Sequence, residues 1–240
     1  MPSTFYPVRD TIIRGALRLV NAYASTGQPA PEQMSDAIEA CNLMLKSWQV
    51  DNFLWLKQFA LLTLVPGQAT YKFGNAANGT PSPDVCVYQG TATQIDRPTR
   101  ISMAAYRNTS GFDRPLTPMS RAEYIQLTNK TNPAPCVQFY YNPQLYQGEL
   151  TVWPVPTTAD TLFFTCDRGI YDVITDTDTF DVPQEWMSLC KWGLACEIAI
   201  EYAVPPAQLA QLESKYQAMR QTIDNYDREI AVSYLSVDQY

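Results

Sequence analysis

One stretch of the chain changes its hydrophobic period within a few residues, and this change constrains the fold more than any other feature. Residues 42–57, NLMLKSWQVDNFLWLK, begin with apolar residues at helical spacing and end as an almost continuous apolar run. A period near 3.6 indicates an amphipathic helix, whereas a short apolar run bounded by turn residues indicates a strand. The helical period returns only after Asp181. The sequence therefore predicts helices at both ends and a β-rich segment between them.

Two helices are predicted before the change of period. The first lies within residues 9–24, where Ile12, Ala16 and Leu19 fall at helical spacing. The second begins near Pro31, a residue type that suits the first turn of a helix. Five of its residues share one face, which we expect to be buried: Ala37, Cys41, Met44, Leu45 and Trp48.

Two further helices are predicted after residue 181. The third runs from about Pro183 to Tyr202 and is nearly apolar on all sides, so we expect it to be central. The fourth follows Pro205-Pro206 and carries apolar residues in alternating steps of three and four. Such a heptad seam can face its own domain or a neighbouring copy of the chain, and we favour the internal seam. Its residues are Leu209, Leu212, Tyr216, Met219, Ile223, Tyr226 and Ile230.

The middle of the chain contains short apolar runs separated by clusters of Asn, Gly, Pro and Asp. Pro66-Gly67 is a turn signal between two such runs, so residues 57–73 are predicted to form a β-hairpin. Ser120 and Glu123 have the spacing of a capping box, which predicts a short helix. Further strands are predicted at residues 84–89, 100–106, 136–141, 148–153 and 160–166.

These elements predict an α+β fold. We expect the N- and C-terminal helix pairs to form a four-helix bundle, with an inserted antiparallel β domain and a C-terminal extension. The predicted boundaries are residues 1–55 and 181–230 for the helical parts, 56–180 for the β domain and 231–240 for the extension. Trp48 and Trp55 lie where the period changes, and we interpret them as a structural hinge between the helical and β parts rather than a ligand site.

The charge of the chain limits the partners that it can bind. The 240 residues carry a net charge of −7, and the Lys and Arg residues are scattered. Tight binding of nucleic acid needs clustered cations that neutralise phosphates. An acidic surface does suit a passage through which DNA slides without sticking. The N-terminus does not resemble a signal peptide, and no apolar run approaches the roughly 20 residues that cross a bilayer, so we expect synthesis in the cytoplasm and no membrane binding.

Histidine is absent, which removes the Ser-His-Asp and Cys-His nucleophile pairs and histidine-ligated zinc. The cysteines form no C-x-x-C pair, and we expect them to be buried reduced thiols: Cys41, Cys86, Cys136, Cys166, Cys190 and Cys196. The acidic run that contains Asp172, Asp176, Asp178 and Asp181 lacks the glycine and glutamate of an EF-hand loop.

Paired carboxylates are the remaining catalytic candidates, since glycosidases use two of them. Glu185, Glu197 and Glu201 lie on or near one predicted helix, but nothing in the sequence predicts a raised pKa for any of them. Phosphate-binding glycine motifs are also absent. We therefore predict that the chain is not an enzyme and has no catalytic residues, no metal site and no cofactor.

Six motifs occur in an order and spacing that resemble a known family. They are NLMLKSW, LVPGQATYKFG, IDRPTRI, RAEYIQLTNK, the FYYNPQ to GELTVWPVP segment and DVPQEWMSLCKWGLACEIA. Together they span about residues 8–205 and are similar to the head-to-tail adaptor proteins of short-tailed bacteriophages. Members of this family are also described as packaged-DNA stabilisation or tail accessory proteins.

The resemblance implies a structural virion protein at the head-tail interface. Its relatives form rings of twelve copies beneath the portal, extend the DNA channel, retain packaged DNA until ejection and offer a platform to the tail nozzle or hub and to fibre or spike proteins. The helical part is expected to face the portal and the β part the tail. The family's C-terminal extension implies a portal-binding arm here, for which we name Tyr234, Leu235, Val237 and Tyr240.

Two alternatives from other classes remain open at the level of sequence. The first is a muramidase-like cell-wall hydrolase, an activity credited to some relatives although no catalytic motif here supports it. The second is a carbohydrate-binding tail component that uses exposed aromatic residues such as Tyr140, Tyr141 and Trp153. Cell-wall digestion and glycan binding would distinguish them from an adaptor.

Overall fold

The chain divides into two units, each with its own core. The computed structural model describes residues 7–24, 27–51, 53–76, 79–80, 84–88 and 91–227. A helical unit comprises Met1–Trp55 and Ile170–Tyr240, and a β unit comprises Leu56–Gly169. The helices are α1 (Arg9–Leu19), α2 (Pro31–Trp48), α3 (Arg121–Gln126), α4 (Met187–Ala199) and α5 (Pro206–Tyr226). The strands are β1 (Lys57–Thr63), β2 (Thr70–Phe73), β3 (Cys86–Tyr88), β4 (Thr91–Thr93), β5 (Arg100–Arg107), β6 (Asp113–Pro118), β7 (Gln138–Pro143), β8 (Gly148–Trp153) and β9 (Thr161–Asp167).

Helix α4 is the centre of the helical unit. It packs against α1, α2 and α5, and its residues are buried on several sides. This confirms the prediction that an apolar helix is central, because a helix with neighbours on several sides can bury apolar residues around most of its circumference. The predicted buried face of α2 is also confirmed, since each of its five members is buried: Ala37, Cys41, Met44, Leu45 and Trp48.

The prediction of a four-helix bundle with an inserted antiparallel domain is wrong. In a bundle every helix buries an apolar stripe against two neighbours. Helix α5 instead packs mainly on α4 and has a single buried residue, Leu212, within its described length. Its seam faces α4 over part of its length, where Met219 and Ile223 line a cleft with Leu189, but Tyr226 is exposed. Ile230 lies outside the described residues.

The segment before α4 is held to the first two helices by polar contacts. The guanidinium of buried Arg9 donates a hydrogen bond of 2.5 Å to the Ile174 carbonyl oxygen. The Asn42 amide contacts the backbone of Val173 twice, donating to its carbonyl oxygen and accepting from its N–H group. These bonds satisfy backbone groups that no helix or strand partner reaches.

The β unit is built around one mixed sheet of nine strands. The strand order is β2-β8-β7-β6-β5-β9-β1-β3-β4, and every pairing is antiparallel except the short parallel contact of β6 with β7. The predicted antiparallel domain is therefore corrected to a mixed sheet. One face of the sheet packs a core whose largest fully buried members include Tyr71, Phe73, Phe139 and Phe164.

The predicted hairpin across residues 57–73 is also wrong. Both segments are strands, and the chain does turn at Gly67, whose φ is +83°. However, β1 pairs along its whole length with β9 and on its other edge with β3, while β2 pairs with β8. A Pro-Gly turn reverses the chain without fixing the partner. A strand that is apolar on both faces, such as β1, is more stable in the middle of a sheet.

Candidate interaction surfaces

Four aromatic rings form a cluster in the helical unit. Trp186 lies at its centre, with its ring centroid 4.4 Å from Phe53, 5.7 Å from Trp55 and 5.8 Å from Trp48. Phe53 and Trp55 stack on each other. The cluster brings the two sequence-predicted hinge tryptophans together through a residue that the sequence analysis did not single out. A hinge role for Trp48 and Trp55 stays a prediction.

Arg220 on α5 covers this cluster with its guanidinium group. The group lies 5.0 Å from the Phe53 ring centroid and 5.7 Å from that of Trp48, within the range of cation–π attraction. It also forms ion pairs with Asp224 and Asp51. Burial by itself would lower the pKa of Arg220, but its hydrogen bond to Asp51 and the nearby charges raise that pKa above its usual value. The arginine therefore stays charged against the rings.

The C-terminal end of α5 is fixed to the segment that follows α2. Besides the Arg220–Asp51 pair, the Asp227 carboxylate accepts a hydrogen bond of 2.9 Å from the Leu54 N–H group. These contacts hold the last turn of α5 against residues 51–54. The predicted portal-arm residues, Tyr234, Leu235, Val237 and Tyr240, lie outside the described residues.

The β unit exposes a second apolar surface, which the sequence analysis missed. Side chains alternate along a strand, so β1, β5 and β9 present one set of residues to the core and another set away from it. Two adjacent rows on that second side consist of apolar residues and one threonine: Phe59, Thr165 and Met103 in one row, and Leu61, Phe163 and Ala105 in the next. We call this surface, together with its charged borders described below, the outer face.

Charged residues border these two rows at both ends. Lys57, Asp167 and Arg100 form the row at one end. At the other end Arg107 forms a two-pronged ion pair with Asp113, with contacts of 2.6 and 2.7 Å. The Arg107 guanidinium also lies 4.0 Å from the Phe163 ring centroid.

The outer face contains a groove of about 430 Å³, and two of its lining residues are largely exposed to solvent. Phe59 is 58% exposed and Met103 is 60% exposed. A sheet with one solvated face normally alternates apolar and polar residues. The sequence does contain a signal for this second apolar surface. The consecutive apolar residues in KQFALLT and TLFFTCD place apolar side chains on both faces of the sheet.

The three candidate catalytic carboxylates, Glu185, Glu197 and Glu201, are all exposed to solvent. In the acidic loop, Asp178 accepts hydrogen bonds from the N–H groups of Ile174 and Thr175. Within the described parts of the chain, no group of three or more Cys, Asp or Glu residues could hold a metal ion.

The aromatic residues considered for glycan binding are engaged within the protein. The Tyr140 ring stacks on Tyr124 with 5.0 Å between centroids. The Tyr141 hydroxyl donates a hydrogen bond of 2.5 Å to the Pro98 carbonyl oxygen, and Trp153 donates through its indole nitrogen to the Asn129 carbonyl oxygen. These contacts fix the orientation of each side chain within the β unit.

Five of the six cysteines are buried, as the sequence predicts, and Cys196 is partly exposed. Burial raises the pKa of the Cys41, Cys86 and Cys166 thiols to about 12. A thiol with so high a pKa is neutral near pH 7 and is a poor nucleophile. These residues therefore serve as small apolar groups in the two cores.

The described residues combine two units, an apolar face with charged borders in the β unit and a helix α5 whose C-terminal end is held at Asp227. No helix in the described ranges combines the length and apolar character that a membrane span needs. A comparison with family models then identifies the family.

The model of the SU10 adaptor protein family matches residues 8–237, so the chain belongs to this family. The predicted relation to phage head-to-tail adaptors is confirmed. The chain is therefore a structural adaptor protein of a phage, a component of the virion that associates with other head-tail proteins. The family is generally non-enzymatic. None of the curated proteins matches the sequence.

Proposed function

We propose that the chain is a ring-forming head-to-tail connector that binds beneath the portal of a filled capsid. The ring, of twelve copies, extends the DNA channel, retains packaged DNA until ejection and provides the attachment platform for the tail nozzle or hub and for fibre or spike proteins. The observation that carries the proposal is the family match over nearly the whole chain, residues 8–237.

In this proposal each of the two units has a different binding partner. The helical unit binds the portal, and the β unit faces the tail. The C-terminal end of α5 lies next to the segment that Arg220 and Asp227 hold. We propose residues 231–240 as the portal-binding arm, because Tyr234, Leu235, Val237 and Tyr240 supply apolar side chains that an extended segment can bury.

The proposal predicts assembly that depends on the portal. We expect the full chain to be a monomer or a weak oligomer alone and to form a ring when purified portal rings are added. Electron microscopy would count the copies, and analytical ultracentrifugation would measure the mass of each state. A chain that ends at Ile230 should keep its melting temperature. It should assemble more weakly, because it lacks the arm's contacts with the portal, which in the full chain offset the backbone entropy lost when the arm becomes ordered.

Three results would contradict parts of this proposal. A tight dodecamer at micromolar concentration without portal, or no binding to portal rings at all, would contradict portal-dependent assembly. Equal assembly of the full and shortened chains would contradict the arm alone. Lysis of cell-wall material by the full chain would favour the hydrolase alternative instead.

A further inference from the structure

A cleft of about 300 Å³ lies between α4 and α5 in the helical unit, and we call it the α4–α5 cleft. Its apolar lining includes Leu189 from α4 and Met219 and Ile223 from α5. Two exposed charged side chains, Glu185 and Lys215, also line it. Within the described part of the chain, neither of these two charges has an ion-pair or hydrogen-bond partner. The cleft therefore offers apolar surface together with one available charge of each sign.

Helix α5 ends beside this cleft. The Asp227 N–H group donates a hydrogen bond of 2.8 Å to the carbonyl oxygen of Ile223, which is a lining residue. At Asp227 the backbone leaves the helical conformation, with φ of −84° and ψ of 52°. Asp227 is the last described residue, so residues 228–240 are covalently attached within one helical turn of the cleft.

The two helices run in opposite directions, and this sets the order of the charges along the cleft. Gly193 of α4 packs on Tyr216 of α5, whereas the earlier residue Glu185 shares the cleft with the later residue Ile223. Glu185 therefore lies towards the C-terminal end of α5. Lys215 lies eight residues before Ile223, which is roughly 12 Å along the helix axis.

The segment that follows Asp227 has a composition that suits this cleft. Its thirteen residues read REIAVSYLSVDQY, and the stretch 230–237 is uncharged and mostly apolar. Arg228 lies before this stretch and Asp238 lies after it. Thirteen extended residues reach roughly 40 Å, so the segment is long enough to turn after Asp227 and return along the cleft.

We propose that residues 228–240 bind in the α4–α5 cleft of their own chain and leave it when the chain binds the portal. The release step rests on the connector function proposed above, whereas binding in the cleft does not. The attachment at Asp227 favours this segment over other occupants, because a tethered segment binds at an effective concentration in the millimolar range. A separate protein has to reach the same cleft from a far more dilute solution.

Charge gives the bound segment its position along the cleft. Arg228 pairs with Glu185 at the near end, and Asp238, ten residues later, pairs with Lys215 at the far end. In an extended segment adjacent side chains point to opposite sides, so Glu229 faces solvent when Arg228 faces the cleft. Exposed ion pairs add little affinity, so the apolar stretch between them supplies most of the contact.

The contact is weak enough to break on the portal. Burial of the apolar side chains of residues 230–237 stabilises the bound segment, whereas ordering its backbone has an entropic cost of similar size. These two contributions nearly cancel, so the melting temperature depends little on the segment. In the free chain the cleft covers the apolar side chains of the arm, which reduces association between copies before a portal is available.

Cross-linking within the full chain tests this proposal. One double variant carries Ser233→Cys in the segment and Ala218→Cys in the cleft, and the matched control carries Ser233→Cys and Gln217→Cys. Ala218 lines the cleft, whereas its exposed neighbour Gln217 points about 100° away around the helix. After treatment with a short bismaleimide, mass spectrometry of the monomer should detect the intrachain cross-link at several times the yield of the control. The natural cysteines are common to both variants and set the background.

Charge reversal tests the position of the segment. Lys215→Glu, added to the Ser233→Cys and Ala218→Cys variant, should lower the cross-link yield severalfold, because it places a carboxylate opposite Asp238. Adding Asp238→Lys as well should restore the yield. Portal rings added before the cross-linker should also lower the yield in the variant without charge changes.

Each part of the proposal has its own contrary result. Equal yields with Ala218→Cys and Gln217→Cys, or cross-links only between two chains, would overturn binding in the chain's own cleft. A yield that does not respond to Lys215→Glu would overturn the charge pairing. A chain that binds portal rings and keeps its cross-link would overturn the release step. A wild-type chain that does not bind portal rings would instead overturn the connector function, and cleft binding, measured without portal, would stand.

Discussion

At the scale of single residues, Asp160 shows how a buried charge is stabilised in the β unit. It is 3% exposed and accepts hydrogen bonds from the Tyr106 and Thr158 hydroxyl groups and, at 2.9 Å, from the Thr109 N–H group. Burial alone would raise the pKa of Asp160, but these hydrogen bonds outweigh it and lower the pKa below its ordinary value of 3.8. The carboxylate therefore connects β5, the β5–β6 turn and the start of β9.

Asp160→Asn is expected to destabilise the chain by about 1–3 kcal/mol near neutral pH, because an amide cannot satisfy all three donors. A lowered pKa means that the ionised group stabilises the fold above pH 3.8 and that this contribution is lost as the pH falls through the folded-state pKa. The difference between wild type and Asp160→Asn in the midpoint of urea unfolding should thus shrink in acid. Asp176→Asn, in an exposed loop, is the control. A difference that stays constant with pH would contradict this account.

At the scale of elements, helices and strands were predictable where a local sequence pattern, such as a capping box or a short apolar run, is enough to specify the element. The capping box of Ser120 and Glu123 is present at the start of α3, and the predicted strands at residues 100–106, 148–153 and 160–166 correspond to β5, β8 and β9. Strands β4 and β6 were not predicted. Strand β6, DRPLTP, has a single buried residue, Leu116, and thus gives no alternating signal.

Packing between helices depends on contacts that the sequence does not reveal. Gly15 in α1 and Gly193 in α4 are both buried helical glycines. A Cβ atom at Gly15 would lie 3.0 Å from the end of the flexible Lys191 side chain. At Gly193 it would lie 2.9 Å from the Met44 sulfur and 3.1 Å from the Tyr216 ring, inside the core of the helical unit.

The two glycines therefore predict opposite effects of the same substitution. Gly15→Ala should stabilise by about 0.5–1 kcal/mol, because alanine restricts the unfolded chain and Lys191 can move aside. Gly193→Ala gains the same amount but costs about 1–3 kcal/mol in overpacking, so it should be destabilising. Differential scanning calorimetry should show a higher melting temperature for Gly15→Ala and one lower by about 2–4 °C for Gly193→Ala. Similar shifts in both variants would show that α4 has room at Gly193.

At the scale of the whole molecule, the order of helical and β-rich parts was predictable and their internal arrangement was not. Strand β1 pairs with β9, about a hundred residues later, and the short apolar run of β1 predicts a strand without identifying its partner. Likewise, a heptad pattern in α5 predicts a seam, but a bundle also needs neighbours of matching length. Among the candidate sites, the hinge role of Trp48 and Trp55 stays a prediction, and neither the aromatic cluster around Trp186 nor the outer face was predicted.

Net charge is the property of the whole chain that bears most directly on the DNA channel. With a net charge of −7 and scattered cations, the chain has no row of Lys and Arg to displace the counterions of a duplex. We expect a passive channel, in which repulsion keeps the DNA moving and the ring retains it by closing the path rather than by gripping phosphates. The alternative, active gripping, requires several phosphate contacts for each subunit.

These two mechanisms predict different salt dependence. Fluorescence anisotropy with a labelled duplex should give a dissociation constant no tighter than about 10⁻⁴ M in ~150 mM salt, the weak end of non-specific binding. The affinity should also change little between about 50 and 200 mM salt, because few counterions are released. The portal-assembled ring, measured in the same way, serves as the comparison for the isolated chain. Sub-micromolar binding in ~150 mM salt, or a steep loss of affinity with added salt, would mean that the subunits neutralise phosphates and hold the DNA actively.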